Sequence, residues 1–356
     1  MSKKSAESPE KSQQVLLDPF LIDRLRLNRG LSRKQLAVEA KVAFNTVREL
    51  FHGGGVQPST ARAIAVALQQ EVVDLLSPLD ARYVAPHEPR GPWAGASEWE
   101  TVGYLEQGRL APNALYYIVC RMRHRHTTGK QGRGKFYHLS WLHPAKRDAM
   151  RHQLTRHADV CARVGPHPRI VTNLTSAPVA DEGWWVIDDW IGERTLADFL
   201  RVGAWPSETL PGLLYEIATG LAALHAAGIV FRELAPARVL ISDKDAAAVL
   251  TDFELAKLLD DSPSVSSEWP EDPFRAPEVD GGSTSLQSDL YSFAQLASAA
   301  VAGSDFDPLQ AEETLGRAKL PKRLQRLLLE CLEPIPDRRP SDLSPLLKEL
   351  SRWPEK

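Results

Sequence analysis

The chain has 356 residues, of which 43% are hydrophobic and 25% charged, and its formal net charge is -3. This composition excludes a fibre and a wholly disordered chain, and the length allows two or three separate cores. The small negative charge argues against indiscriminate nucleic-acid binding, although a local basic surface remains compatible with it. Residues 1–17 predict a disordered tail without an apolar leader, and no stretch approaches the roughly 20 apolar residues that span a bilayer. We expect a cytoplasmic protein with no membrane partner.

A helical domain is predicted between residues 18 and 78. Apolar residues recur there at helical spacing in short runs, which favours several short helices packed as one bundle. Ser32 is followed three residues later by Gln35, which is the spacing of a helix N-cap with a capping box. A second helix is predicted to begin near Ala43 and to turn Val47 inward. Two short helices in this order are typical of a helix-turn-helix.

Two runs within this domain carry a family resemblance. Leu31–Ala37, followed by Lys41–Val47, resembles the lambda-repressor-like, Cro-type helix-turn-helix family over about residues 18–78. The chain departs from the family pattern at two positions. Lys41 stands in the turn where glycine is common, and Phe51 stands where glutamate commonly closes the recognition helix.

The resemblance implies that DNA is a partner of this domain. By the family's geometry the contacting residues would be Arg33 against a phosphate and, at base edges, Phe44, Asn45, Thr46 and Arg48. Asn and Arg side chains can form bidentate contacts with bases, and Phe can contact a thymine methyl group. One recognition helix buries little surface, so we expect a homodimer on a pseudo-palindromic site. The alternative is that these are solvated residues of a domain that now binds protein.

A linker and a β-rich segment follow. Residues 79–98 contain proline and glycine without a helical or strand period, which is typical of a linker. Aromatic and β-branched runs at Tyr116–Val119 and Phe136–Leu139 predict the two strands of a hairpin. The run Arg121–Lys135 is basic and contains no acid. An exposed hairpin loop is favoured for it over an anion or nucleic-acid contact.

The rest of the chain changes from strands to helices. Trp184–Ile187 predicts a further buried strand, and amphipathic helices dominate from Leu210 onward. A small lobe over about residues 99–191 is therefore expected to precede a helical lobe over about 192–356.

Motifs in these two lobes resemble the eukaryotic-like Ser/Thr protein kinase fold of bacteria, over roughly residues 99–352. They occur in the family's order at His167–Val171, Thr195–Leu200, Leu221–Val230, Phe231–Arg238, Thr251–Glu254, Ala276–Glu278, Ser288–Ser292 and Asp337–Ser341. The expected architecture is multi-domain: an all-α helix-turn-helix bundle, then an α+β two-lobed protein-kinase-like domain over residues 99–356.

The resemblance assigns scaffold roles to residues that match the family. It implies that Glu278 pairs with Arg339 and that Asp289 holds the backbone of the catalytic loop. These are structural roles, and the required residues are all present.

The catalytic positions are mostly exchanged. In the kinase signature His-Arg-Asp-Leu-x-x-x-Asn, the Asp is the base and the Asn a metal ligand. Glu233 stands at the base position and Arg238 at the Asn position. Asp252 keeps the metal-ligand position of Asp-Phe-Gly, where magnesium is the candidate ion, while Glu254 replaces the glycine.

The small lobe is altered at its corresponding positions. Aligning Leu139–Pro144 with the family's third strand puts Ser140 where the lysine belongs. Its helix αC partner falls on His157, or on Asp159 if the alignment slips. The candidate nucleotide-binding residues are Gly108, the one glycine kept from the phosphate-covering loop, Asp188 at the gatekeeper position, Asp189 and Asp252. For Asp188 and Asp189 the alternative is a solvated strand end.

These exchanges favour an inactive, pseudokinase-like signalling domain joined to a DNA-binding domain, with a protein partner or client. ATP and magnesium remain candidate ligands. One alternative is an atypical Ser/Thr kinase that transfers the ATP γ-phosphate to protein Ser/Thr, with Lys130 or Lys135 supplying the missing cation, or with Arg238 contacting phosphate directly. The other alternative is a protein-interaction scaffold that binds neither DNA nor ATP.

Overall fold

The computed structural model describes residues 14–51, 54–77, 98–110, 116–139, 144–179, 183–259, 272–280 and 282–353. The chain divides into two compact units, one formed by residues 1–88 with 108–116 and the other by 89–107 with 117–356. Residues 1–13 of the predicted tail lie outside the described residues. At its end the prediction of disorder is wrong, because Val15 and Leu17 are buried and form β-bridges with Val56 and Leu76. The predicted linker lies outside the described residues except for Glu98. Across the described ranges, no helix is both long and apolar enough to cross a membrane.

The described residues of the first unit form four short α-helices. These are α1 (Pro19–Asn28), α2 (Arg33–Glu39), α3 (Phe44–Phe51) and α4 (Pro58–Leu68), and a 3-10 turn follows at Val72–Leu75. One core joins them, and its most deeply buried side chains are Ile22, Leu36, Val47, Leu50, Ile64 and Leu75. The described helices therefore pack around a common core, and their assignment as a helix-turn-helix domain stays a prediction.

The capping box predicted at the start of α2 is confirmed. The Gln35 N–H donates to the Ser32 Oγ at 3.2 Å, and the Ser32 N–H donates to the Gln35 Oε1 at 2.8 Å. Each side chain satisfies a backbone donor that a helix start would otherwise leave unpaired. The next helix begins at Phe44 and turns Val47 and Leu50 into the core, as its spacing predicts.

The turn between α2 and α3 requires a left-handed backbone at Lys41. The φ angle of this residue is +53°. A side chain at positive φ brings its Cβ close to the backbone, which glycine avoids because it has no Cβ. The turn therefore keeps the geometry for which glycine is the common residue.

We predict that Lys41→Gly stabilises the first unit by about 1 kcal/mol, because it removes this strain. Hydrogen exchange of the buried α2 and α3 amides in the full chain would measure the change for this unit separately. Lys41→Ala is the control, since it keeps a Cβ and should give no gain. Equal protection in the glycine and alanine variants would contradict the prediction.

The small lobe contains a five-stranded sheet, which belongs to the second unit except at residues 108–110 and 116. Its strands are β1 (Trp99–Leu110), β2 (Tyr116–His124), β3 (Gln131–His138), β4 (Asn173–Val179) and β5 (Gly183–Asp189), in the order β1-β2-β3-β5-β4. Helix α5 (Pro144–Val164) lies between β3 and β4 in the chain. The hairpin of β2 and β3 is confirmed, and so is the buried strand predicted at Trp184–Ile187.

The basic run between the hairpin strands is shorter as a loop than predicted. Most of Arg121–Lys135 belongs to β2 and β3, and only residues 125–130 form the connection. Two arginines of β2 pair with acids outside the hairpin. Arg123 forms an ion pair with Glu100, and Arg121 lies 3.3 Å from Glu193 and stacks on an indole ring.

The larger lobe is mainly helical. Its helices are α6 (Leu196–Leu200), α7 (Leu210–Ala226), α8 (Pro277–Asp280), α9 (Leu286–Ala302), α10 (Ala311–Arg317), α11 (Lys322–Cys331) and α12 (Ser344–Leu350). Two short antiparallel strand pairs join β6 (Ile229–Val230) to β9 (Lys257–Leu258) and β7 (Val239–Ile241) to β8 (Ala248–Leu250). Residues 231–238 thus connect β6 to β7, and residues 251–256 connect β8 to β9. These two connections carry most of the candidate site.

Asp289, at the start of α9, holds the first of these connections. Its fully buried carboxylate accepts hydrogen bonds from the backbone N–H groups of Phe231 and Arg232, each at 2.8 Å. The His225 Nε2 lies 2.9 Å from the same carboxylate. The backbone of Arg232 has a φ of +70°, a left-handed conformation that is strained for arginine. The hydrogen bonds to Asp289 hold the backbone in this conformation.

A further ion pair joins α8 to the connection between α11 and α12. The Arg339 guanidinium contacts the Glu278 carboxylate through two parallel hydrogen bonds of 2.7 and 2.8 Å. It also donates to three carbonyl oxygens, those of Glu333, Gln287 and Pro334. Bidentate, charge-assisted pairs of this kind are among the stronger polar contacts in proteins.

Candidate functional site

The centre of the candidate site is the carboxylate of Asp252. The Lys135 Nζ on β3 lies 2.9 Å from its Oδ2, and the Arg238 Nη1 lies 3.0 Å from the same oxygen. Lys135 and Arg238 are separated by more than a hundred residues and come from different lobes. One carboxylate oxygen therefore joins the small lobe, the catalytic-loop connection and the segment after β8.

Two further acids complete the cluster. The Lys135 Nζ lies 3.8 Å from the Glu254 Oε1, and the hydroxyl of Tyr137 donates to the same glutamate. Glu233 is buried, and its Oε1 lies 3.9 Å from the Arg238 Nη2. The substitution of glutamate for the family's glycine at residue 254 thus adds a second acid that contacts β3.

Burial and charge act on these groups in opposite directions. Burial alone would raise the pKa of Asp252, but Lys135 and Arg238 hold that pKa well below its usual range. Burial raises the pKa of Glu233 to about 7, although Arg238 opposes the shift. Asp252 is therefore ionised with both cations in contact, whereas Glu233 is partly protonated near neutral pH.

The residues present do not fit the magnesium that the kinase resemblance implies. A divalent ion needs oxygen ligands, and here a guanidinium occupies the position of the ligand Asn while two cations already contact the remaining Asp. Among the described residues, no group of three or more His, Cys, Asp or Glu side chains is arranged to hold a metal ion.

His157 and Asp188 form a separate buried pair next to this cluster. The Nε2 of His157, on α5, lies 2.8 Å from the Asp188 Oδ1 on β5, and both side chains are buried. Burial alone would lower the pKa of His157, but the Asp188 carboxylate raises it well above its ordinary value. Asp188, at the gatekeeper position, is therefore paired and buried. The alternative of a solvated strand end applies only to Asp189, which is exposed.

The prediction that Leu139–Pro144 forms the third strand of the family is wrong. The strand is Gln131–His138, and a helix already begins at Pro144. Lys135, one of the two lysines considered as the missing cation, lies on that strand and contacts Asp252. The other lysine, Lys130, lies at the hairpin turn, where its Nζ is 6.0 Å from the centroid of the Trp99 ring.

Two predicted positions cannot be placed in the cluster. Ser140 lies outside the described residues, and Gly108 lies within β1. The sequence signal that would have selected Lys135 is the continuous aromatic run after it, Phe136-Tyr137, which marks the strand.

In the first unit, four of the five predicted DNA-contacting residues lie on α3. Phe44, Asn45 and Arg48 are exposed, and Thr46 is half-buried. Arg33, the first residue of α2, is exposed as well.

Phe51 at the end of α3 has a packing role toward α2. The guanidinium of Arg33 lies 4.0 Å from the Phe51 ring centroid, and its Nε lies 3.3 Å from the Asp23 Oδ1. The residue that departs from the family's glutamate therefore gives Arg33 an aromatic surface in addition to its ion pair with Asp23.

Comparison with known proteins decides the family of the second unit. Residues 129–353 match the family described as the protein kinase domain. The chain belongs to the protein kinase family. A curated relative in this family is the serine/threonine-protein kinase pkn2 of Myxococcus xanthus, which is 30% identical over 216 residues. The aligned region covers 54% of this chain and 26% of the relative.

We predict that the Lys135 and Asp252 contributions to kinase-domain stability are strongly coupled. Lys135→Met should lower the free energy of unfolding by about 3 kcal/mol, because it leaves buried acids with fewer partners. Adding Asp252→Asn should recover part of this loss, and urea unfolding of the four proteins would measure the coupling. Lys244→Met, at an exposed lysine, is the control. Additive effects of the two changes would contradict the prediction.

We predict a pH dependence of stability that arises from Glu233. Its pKa rises from 4.5 in the unfolded chain to about 7 in the folded one, so the folded state binds more protons between these values. Stability should therefore fall as pH rises from 4.5 to 7, by an amount on the order of 3 kcal/mol, and level off above. Glu233→Gln should remove this slope in urea unfolding measured from pH 5 to 8. An identical slope in both proteins would exclude Glu233 as the source.

Proposed function

We propose that the protein is a DNA-binding regulator whose kinase-family domain serves as a binding or switching module and does not transfer phosphate. One observation carries the proposal for the kinase domain. A single oxygen of Asp252 is contacted by both the Lys135 ammonium and the Arg238 guanidinium.

Phosphoryl transfer depends on positioning and charge neutralisation, with metal ions that bridge the phosphate oxygens. In this cleft the two basic side chains neutralise the protein's own carboxylates. Two further features support loss of transfer. Glu233, at the base position, carries one more methylene than aspartate, and Arg238 adds a fixed positive charge where a metal would lie. We also propose that this domain binds a protein partner or client.

The proposal for the first unit rests on the exposed face of α3. Phe44, Asn45 and Arg48 combine an aromatic ring, an amide and a guanidinium on one short helix, and these groups suit the major groove. We propose that two copies bind a pseudo-palindromic site, since one such helix alone gives little contact area.

We predict that the full chain, selected on random duplexes, enriches a two-half-site sequence and binds it with an affinity that falls linearly in log salt. Asn45→Ala and Arg48→Ala should each weaken binding to that sequence by about 1–3 kcal/mol. Arg62→Ala, at an exposed arginine on α4, is the matched control. If no duplex is enriched, or if all three variants bind alike, the DNA-binding proposal fails and a protein-interaction scaffold is favoured.

A Ser/Thr protein kinase is the second candidate, and two observations favour it. Lys135 lies on β3, the strand that carries the family's nucleotide-orienting lysine, and the relative from Myxococcus xanthus carries the name of a serine/threonine-protein kinase. ATP and magnesium would then be its cofactors, which the geometry around Arg238 disfavours.

Phosphate incorporation from labelled ATP separates the two candidates. The proposed function predicts no incorporation by the purified chain beyond that of Asp252→Asn, tested on itself and on generic protein substrates. Magnesium-dependent incorporation that is lost in Asp252→Asn and reduced in Glu233→Gln would establish the kinase.

A further inference from the structure

The His157 imidazole, on α5, connects three elements of the kinase domain. Its Nε2 lies 2.8 Å from the Asp188 Oδ1 on β5, and that oxygen also accepts a hydrogen bond of 2.9 Å from the Asn173 Nδ2 on β4. Its Nδ1 accepts a hydrogen bond of 3.2 Å from the backbone N–H of Phe253. The His157 side chain is fully buried, and Asp188 is nearly so.

The two bonds define the tautomer of the ring. The Phe253 N–H can only donate, so the Nδ1 must present a lone pair, and the proton must lie on Nε2 toward Asp188. The Asp188 carboxylate raises the pKa of the ring and so favours its charged form. In the charged form, however, the proton on Nδ1 would face the Phe253 N–H, so this hydrogen bond requires the neutral ring. The imidazole also stacks on the Phe253 ring, with centroids 5.4 Å apart and an interplanar angle of 24°.

The backbone next to this contact is strained. Asp252 has a φ of +65°, in the left-handed region that side chains other than glycine rarely adopt. Such a conformation persists only where the surroundings hold it. The Asp252 side chain is held by Lys135 and Arg238, the next N–H by His157, and the Glu254 carboxylate by Tyr137 and Lys135.

We propose that His157 is a positioning residue, which fixes the strained Asp252–Glu254 segment through the Phe253 N–H and thereby couples helix α5 to the cleft. Any displacement of α5 must break this bond, or else move Phe253 and the Asp252 carboxylate with it. The role of α5 as the input of a switch rests on the proposed function. The bond itself does not, so its test requires neither nucleotide nor DNA.

Two substitutions separate the two ring nitrogens. In His157→Asn the side-chain oxygen takes the place of Nδ1 and can accept from the Phe253 N–H, whereas the contact of Nε2 with Asp188 is lost. In His157→Gln the longer amide takes the place of Nε2 and can donate to Asp188, whereas the acceptor for Phe253 is lost. Both variants lose the ring that stacks on Phe253, so packing changes alike in the two.

Amide hydrogen exchange at Phe253 in the full chain, without ligands, measures the bond. We expect His157→Gln to raise the exchange rate by about five- to tenfold over wild type, and His157→Asn to raise it much less. Equal acceleration in both variants would show that packing alone matters and would overturn the proposal. No acceleration in either variant would overturn it as well.

A measurement on the wild-type chain covers the case in which a variant fails to fold. The ¹⁵N chemical shifts of the His157 ring should show an unprotonated, hydrogen-bonded Nδ1 and a protonated Nε2 at neutral pH. A protonated Nδ1 would exclude the bond from the Phe253 N–H and contradict the proposal.

Discussion

The interaction on which the kinase domain most depends is the contact of two cations with one carboxylate. Lys135 reaches Asp252 from the sheet of the small lobe, and Arg238 reaches it from the connection between β6 and β7. Ion pairs that are exposed to water contribute little to stability. In a buried site, removing one partner leaves an uncompensated charge and lowers the free energy of unfolding by about 3–5 kcal/mol. The three residues therefore have to be kept or exchanged together.

The other exchanges in the cleft are consistent with this arrangement. Glu254 adds an acid, and Tyr137 donates to it while Lys135 lies beside it. His157, one of the two positions expected for the helix αC partner, pairs with Asp188 and leaves Lys135 to the acids of the connection after β8. The side chains at the family's catalytic and metal-binding positions contact one another here. The supports of the loops, by contrast, keep the family's residues.

Local signals in the sequence predicted a large part of the fold. The capping box of α2, the hairpin, the buried strand of tryptophans and the helical second lobe all follow from spacing over a few residues, where short-range sterics and hydrogen bonds decide. The kinase motifs gave the order of the loops, because each motif keeps its own local turn or helix. The sequence shows Lys41 as a departure from the family pattern, and its positive φ means that this residue strains the backbone of the turn.

The contacts of the site were less accessible to prediction. When β3 is placed a few residues too late in the sequence, Ser140 takes the lysine position in place of Lys135. A strand with a basic start has no sharp boundary in the sequence. The pair of His157 and Asp188 joins residues 31 positions apart, and the sequence names neither as a partner of the other. Which acid meets which base depends on tertiary packing, and periodicity carries no information about it.

The thermal unfolding midpoint of the kinase domain within the full chain shows directly whether Arg238 excludes a metal-bound nucleotide from the cleft. It is measured with and without ATP and magnesium, in the wild-type protein and in Arg238→Asn. A ligand at 100 times its dissociation constant would contribute about 2.7 kcal/mol, which is readily measured. We expect no magnesium-dependent rise in the wild type and a rise in Arg238→Asn, where an amide that can bind a metal replaces the guanidinium. A magnesium-dependent rise in the wild type that disappears in Asp252→Asn would show that the cleft binds a metal-bound nucleotide despite Arg238.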